Sequence, residues 1–123
     1  FNPNYYTSVK LEEPENSFEV IKKMLTKNKK ISAIICSTEF SALSAIKACN
    51  DLNYKIGKDI SIITFDGALV RDLSSPPITA VSFPVKELGK RAINILLDKN
   101  KNQTVNYLAK SEIIERGSVH IVS

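Results

Sequence analysis

Two short runs, "ISAIIC" at 31–36 and "ISIITF" at 60–65, constrain this chain more than any other feature. Each is apolar at nearly every position and rich in isoleucine, so neither reads as an alternating surface strand. A strand apolar on both faces is typical of a parallel sheet covered by helices. Between the runs, residues 39–52 carry Ala42, Leu43, Ala45, Ile46, Cys49 and Leu52 at helical spacing, with Thr38 as a candidate N-cap. The small residues Ser41, Ala42, Ser44, Ala45 and Ala48 let this helix approach a neighbour closely.

The flanking segments fit the same scheme. "PENSFEVIKKMLTKNKK" places Phe18, Ile21, Met24 and Leu25 on one helical face, with Asn16 or Ser17 as cap. Its basic C-terminal end suits the helix dipole. "YYTSVKL" reads as a short strand ahead of it, and "ITAVSF" as another further on. "DGALVRDLSSPPITAVSFP" holds three of the five prolines and cannot be one regular element. Pro84 suits a first helical position, and "VKELGKRAINILLDKN" follows with Val85, Leu88, Ala92 and Ile95 or Leu96 on one face. The tail turns strand-like at "EIIERGSVHIV". Strands alternating with helices of this length predict an α/β fold: a mostly parallel, doubly wound sheet flanked by helices, forming one unit over 1–123.

At 123 residues and 43% hydrophobic content the chain supports one small core. No stretch approaches the roughly 18 consecutive apolar residues of a membrane span, and no signal-peptide pattern stands at the start. "FNPNYY" reads as the interior of a longer chain. The net charge of +4 comes from 17 basic residues that are scattered, with small pairs such as Lys22-Lys23 and Lys90-Arg91, which reads as a solvated surface rather than a nucleic-acid stripe. Cys36 and Cys49 sit on apolar sides of their elements and form no CxxC pair. They read as small buried hydrophobes in a reducing compartment, and with His120 remote in sequence no metal site is expected.

The chemistry gathers where the apolar runs stop. Ligands of open α/β sheets bind outside the C-terminal ends of the strands, and by this reading Glu39 and Asp66 both fall there. Two carboxylates on one rim suit acid–base catalysis or the binding of polyol hydroxyls. The plain alternatives are that Glu39 supports its helix N-terminus and that Asp66 closes a turn. No G-x-S-x-G elbow and no Gly-rich phosphate loop accompany them, and the four glycines stand far apart.

Four blocks, in order, resemble the C-terminal part of the effector-binding domain of LacI/GalR-family transcriptional regulators. "IICSTEFSAL" matches an apolar run followed by a small residue, Asn-Asp, two residues and Ala-Leu, with Thr38 and Glu39 at the Asn-Asp positions. "DISIITFDG" matches the next block, with Thr64 for the usual Gly and Gly67 for a second Asp. "PPITAVSFPVKELGKRAINILL" and "IIERGSV" complete the series. The resemblance implies one subdomain of a type I periplasmic-binding-protein-like fold that senses a small effector and is not an enzyme. It implies that Asp66, Glu39, Thr38 and Phe83 face a cleft for a sugar or sugar derivative, Phe83 by stacking on the ring if it is not plain core. It implies a cytoplasmic homodimer with an interface from Leu43, Ile46, Lys47, Asn50, Leu73, Pro76, Pro77 and Ile78, and it implies no cofactor and no membrane partner. Operator DNA would be read only through an N-terminal helix-turn-helix that these residues do not resemble. Residues from about 82 to 98, and the segment after them, are expected to cross to a second subdomain. A sugar-binding protein of a transport system is the alternative, and a hydrolase or isomerase using Glu39 and Asp66 a remote third. With part of the fold lying elsewhere, the chain is expected to self-associate, by close packing of the small-residue helix or by exchange of the helix at 85–97.

Overall fold

The computed structural model describes residues 5–8, 14–66, 73–98 and 106–120. In chain order the elements are α1 (Pro14–Lys27), β1 (Ala33–Cys36), α2 (Glu39–Asp51), β2 (Ser61–Phe65), β3 (Thr79–Ser82), α3 (Val85–Leu97) and β4 (Glu112–Ile114). The four strands form one sheet in the order β1-β2-β3-β4. The two pairings that link β1, β2 and β3 are parallel, and β4 returns antiparallel on β3. The expected mostly parallel α/β architecture is therefore present, with one antiparallel edge.

The core lies on a single face of this sheet. Ile34 and Cys36 of β1 stand beside Ile62 and Thr64 of β2, and all four are buried. α2 lays Ala42, Ala45, Ala48 and Cys49 over them, and α1 adds Ile21 and Leu25 from the outside. The alanines leave room for the helix backbone to settle close to the strands, so the small-residue stripe packs within its own chain. That corrects the expectation that it serves close packing across a two-fold axis. Burying the two thiols in this apolar layer disfavours their charged forms, and both Cys36 and Cys49 are pushed up to about 11.

The other sheet face is open among the described residues. Ile35 of β1 is 73% exposed and Ile113 of β4 is 64% exposed. Only one side of "ISAIIC" is thus covered, against the expectation of helices on both. α3 buries none of its residues, and Leu96 and Leu97 are each 73% exposed. Its polar side holds Tyr107, whose hydroxyl donates to Glu87 and whose ring lies 3.9 Å under the Arg91 guanidinium.

Three element boundaries differ from the sequence reading. α1 starts at Pro14, so Asn16 and Ser17 lie inside its first turn and do not cap it. Residues 6–8 of "YYTSVKL" are irregular and the remainder lies outside the described residues. Among the described residues the tail is a strand only over Glu112–Ile114, because Arg116 and Ser118 turn inward to bind backbone. Ser118 Oγ donates to the Ile62 carbonyl at 2.6 Å and accepts the Thr79 N–H at 2.8 Å, while the Ser118 carbonyl accepts the Ile62 N–H at 2.9 Å. Arg116 donates its backbone N–H to Thr79 Oγ1 at 2.9 Å and its guanidinium to the Ile78 carbonyl. A fully buried serine with this many partners ties β2 to the start of β3.

Glycine is needed at one turn in particular. Gly57 has φ +77°, and a Cβ there would overlap the Gly117 carbonyl oxygen.

Candidate functional site at the C-terminal strand rim

Parallel strands in register end on the same edge. Cys36 lies beside Thr64, Thr64 beside Ala80, and Phe65 beside Val81. Whatever follows β1, β2 and β3 is therefore delivered to one rim. With neighbouring strands about 4.8 Å apart, the three ends span about 10 Å, the breadth of a small molecule.

Thr38 and Glu39 follow β1. Thr38 is extended (φ −141°, ψ 159°) and caps α2 in a reciprocal box with Ser41. The Ser41 N–H donates to Thr38 Oγ1 at 3.2 Å, and the Thr38 N–H donates to Ser41 Oγ at 3.2 Å. The hydroxyl of Thr38 is thus engaged in starting the helix, as its place before the apolar stripe predicts. Glu39 is half-buried in the first turn, where the positive end of the helix dipole favours its carboxylate.

Asp66 follows β2 in a left-handed conformation, φ +67°. Aspartate tolerates this region better than most side chains. Its N–H donates to the Val81 carbonyl at 2.8 Å, which pins the residue to the end of β3 and leaves its side chain exposed.

Phe83 follows β3 and is 42% exposed, so it is not plain core. Its ring stacks on Phe65 with centroids 6.2 Å apart and planes 15° from parallel. Stacked rings at this distance form a stiff apolar shelf. Phe40, in the first turn of α2, is also exposed. The rim thus combines two acids with three exposed phenylalanines. The sequence reading found Glu39, Asp66 and Phe83 but missed Phe65 and Phe40. The available signal was their placement: each is an aromatic within a residue of an acid at the end of an apolar run.

The residues expected at a dimer interface divide differently. Leu43 and Ile46 are half-buried against the core, and Asn50 is exposed on the same stripe of α2. Lys47 is exposed, pairs with Asp51 at 3.5 Å and lies 4.0 Å over the Phe18 ring. Leu73 and Pro77 are exposed, and Pro76 is half-buried beside Gly117. Ile78 is fully buried in the core, so its side chain serves its own chain and cannot line an interface.

Residues 2–119 match the family described as a periplasmic binding protein-like domain. The transcriptional regulator RegA of Clostridium saccharobutylicum is 32% identical over 117 residues, covering 93% of this chain and 34% of the relative. The transcriptional repressor PurR of Haemophilus influenzae is 32% identical over 103 residues, covering 82% of this chain and 31% of the relative. A solved LacI family transcriptional regulator from Bifidobacterium animalis superposes with a TM-score of 0.79 at 27% identity, over 89% of this chain and 41% of that one. The chain therefore spans about a third of the length of the curated relatives it matches, and these relatives are transcriptional regulators, not enzymes. No helix among the described residues is long and apolar enough to cross a membrane. By its family match and by the order of its strands and helices, the chain belongs to the periplasmic binding protein-like domain family, and it is similar to part of LacI-type transcriptional regulators.

Proposed function

We propose that the rim of Glu39, Asp66, Phe65 and Phe83 is one wall of an effector cleft, and that the effector is a small neutral polyol, a sugar or sugar derivative. The observation that carries this reading is the exposed Asp66 beside the stacked Phe65–Phe83 pair. A carboxylate accepts hydrogen bonds from several hydroxyls, and a flat aromatic shelf suits the apolar face of a pyranose ring. In this reading the protein works in the cytoplasm as a homodimer whose operator contacts come from residues outside this chain. The exposed stripe of Lys47, Asn50, Leu73 and Pro77, with the flanks of Leu43 and Ile46, is the candidate contact between subunits. The regulators among the relatives favour this over a transport role.

A thermal-shift screen of neutral sugars against the full-length protein, followed by calorimetry of any hit, tests the proposal. Replacing Asp66 by Ala removes the acceptor and is expected to weaken binding about ten- to a hundredfold, from roughly 1.5–3 kcal/mol of charged hydrogen bonding. A sugar that binds both proteins equally well places the effector elsewhere.

A further inference from the structure

The chain leaves the sheet at Ser82 and comes back to it at Glu112, and these two residues face each other in the β3–β4 ladder. The stretch between them is therefore one excursion whose ends meet at the rim. α3 forms its outward limb, and residues 106–111 are the described part of its return. Packing does not hold the helix, since among the described residues it buries none of its own. At its base the Val85 N–H donates to the Phe83 carbonyl at 2.8 Å, and the Leu88 N–H to the Pro84 carbonyl at 3.0 Å. The helix thus starts directly on Phe83, whose ring stacks on Phe65.

Tyr107, on the returning limb, grips α3 at both ends of its side chain. Its hydroxyl donates to the Glu87 carboxylate, and the Arg91 guanidinium lies 3.9 Å over its ring. Glu87 and Arg91 stand at i and i+4, so they share one helical face. An acid at the polar tip and a cation on the ring face fix the place and the tilt of the tyrosine together. The bond to Glu87 also pushes the phenol up, so the hydroxyl keeps the proton it donates. At about 100° per residue, this face lies nearly opposite the stripe of Val85, Leu88, Ala92 and Leu96, which the grip leaves clear. Contacts of this kind are small beside the burial that holds a packed helix. Where no surface is buried, local opening is easy and they carry a large share of what opposes it.

We propose that Tyr107 is a latch that ties the returning limb to α3, so that the excursion moves as one body and sets where Phe83 stands at the rim. The use of Phe83 toward an effector rests on the reading above, whereas the latch is measurable with no effector present.

Amide hydrogen exchange in the full-length protein, with no sugar added, tests it. The Val85 and Leu88 amides report on the base of α3, and the Ile62 amide, held by the Ser118 carbonyl, reports on the core. Tyr107→Phe removes the hydroxyl and keeps the ring, and Tyr107→Leu removes both. Exchange at Val85 and Leu88 is expected to rise a fewfold in the first and about tenfold in the second, with Ile62 and the melting temperature unchanged. Unchanged rates at Val85 and Leu88 in Tyr107→Leu would overturn the latch. An equal rise at Ile62 would make Tyr107 a general stabiliser and overturn it as well. Glu87→Ala breaks the same bond as Tyr107→Phe, so the double variant is expected to exchange no faster than Glu87→Ala alone. Effects that add would show the two residues acting apart and contradict the latch. The expected exchange pattern beside a sugar screen without hits would support the latch and count against the effector reading alone.

Discussion

Asp66 and Ser118 show two different uses of a polar residue at the end of an apolar run. Asp66 points its side chain to solvent while its backbone is held by Val81, so its substitution is expected to act on binding. Ser118 is fully buried and serves both β2 and β3. Ser118→Ala leaves the Thr79 N–H and the Ile62 carbonyl without their hydroxyl partner, and is expected to destabilise the fold by about 1–3 kcal/mol. Denaturant unfolding of the full-length protein measures this, and a change below about 0.5 kcal/mol would mean that the network is not needed. Asp66 was legible in the sequence because an unbroken strand stops on it. The role of Ser118 was not, since its partners lie 39 and 56 positions away and only the folded chain brings them together.

At the scale of elements, α1 and α2 are the pair the sequence described best. Apolar spacing placed both, and Thr38 caps α2 where its position predicts. Their outer seam also carries a pH dependence. Lys22 donates to Asp51 at 3.0 Å, and this bond, with help from the charges of Lys22 and Lys47, holds the Asp51 carboxyl below the usual carboxylate range. A lowered folded-state value means that the bridge stabilises at pH above the ordinary aspartate range and is lost as pH falls through the folded value. Melting temperatures of the parent and Asp51→Asn are therefore expected to differ slightly at neutral pH and to converge in acid. A gap that persists unchanged at low pH would mean that the bridge is not its cause. The sheet was read less well. α3 was expected to lack its usual covering subdomain, and no residue of it is buried; helices were expected on both faces of β1, yet among the described residues its second face is open. Periodicity reports that a face is apolar, not which polypeptide covers it.

For the whole molecule, these uncovered faces have a direct consequence. Ile35, Ile113, Leu88, Leu96 and Leu97 leave apolar side chains exposed, and contiguous exposed apolar surface favours association. The 123-residue chain alone is expected to associate, and static light scattering at about 100 µM should give a mass above its monomer. A monomer at that concentration would show that the open faces are tolerated in water. The succession of parallel strands and the place of Glu39 and Asp66 after their C-terminal ends were legible because buried parallel strands are apolar and end together. The uncovered second face of the sheet was not, because an apolar pattern does not name the segment that covers it.

The central claim is that a small effector binds at the C-terminal rim of β1, β2 and β3. Amide exchange of the full-length protein with and without a bound sugar reads that position directly. The account predicts new protection concentrated at residues 38–40, 65–66 and 82–84. Protection on the outer seam of α1 and α2, or at the N-terminal ends of the strands, with the rim unchanged, would contradict it.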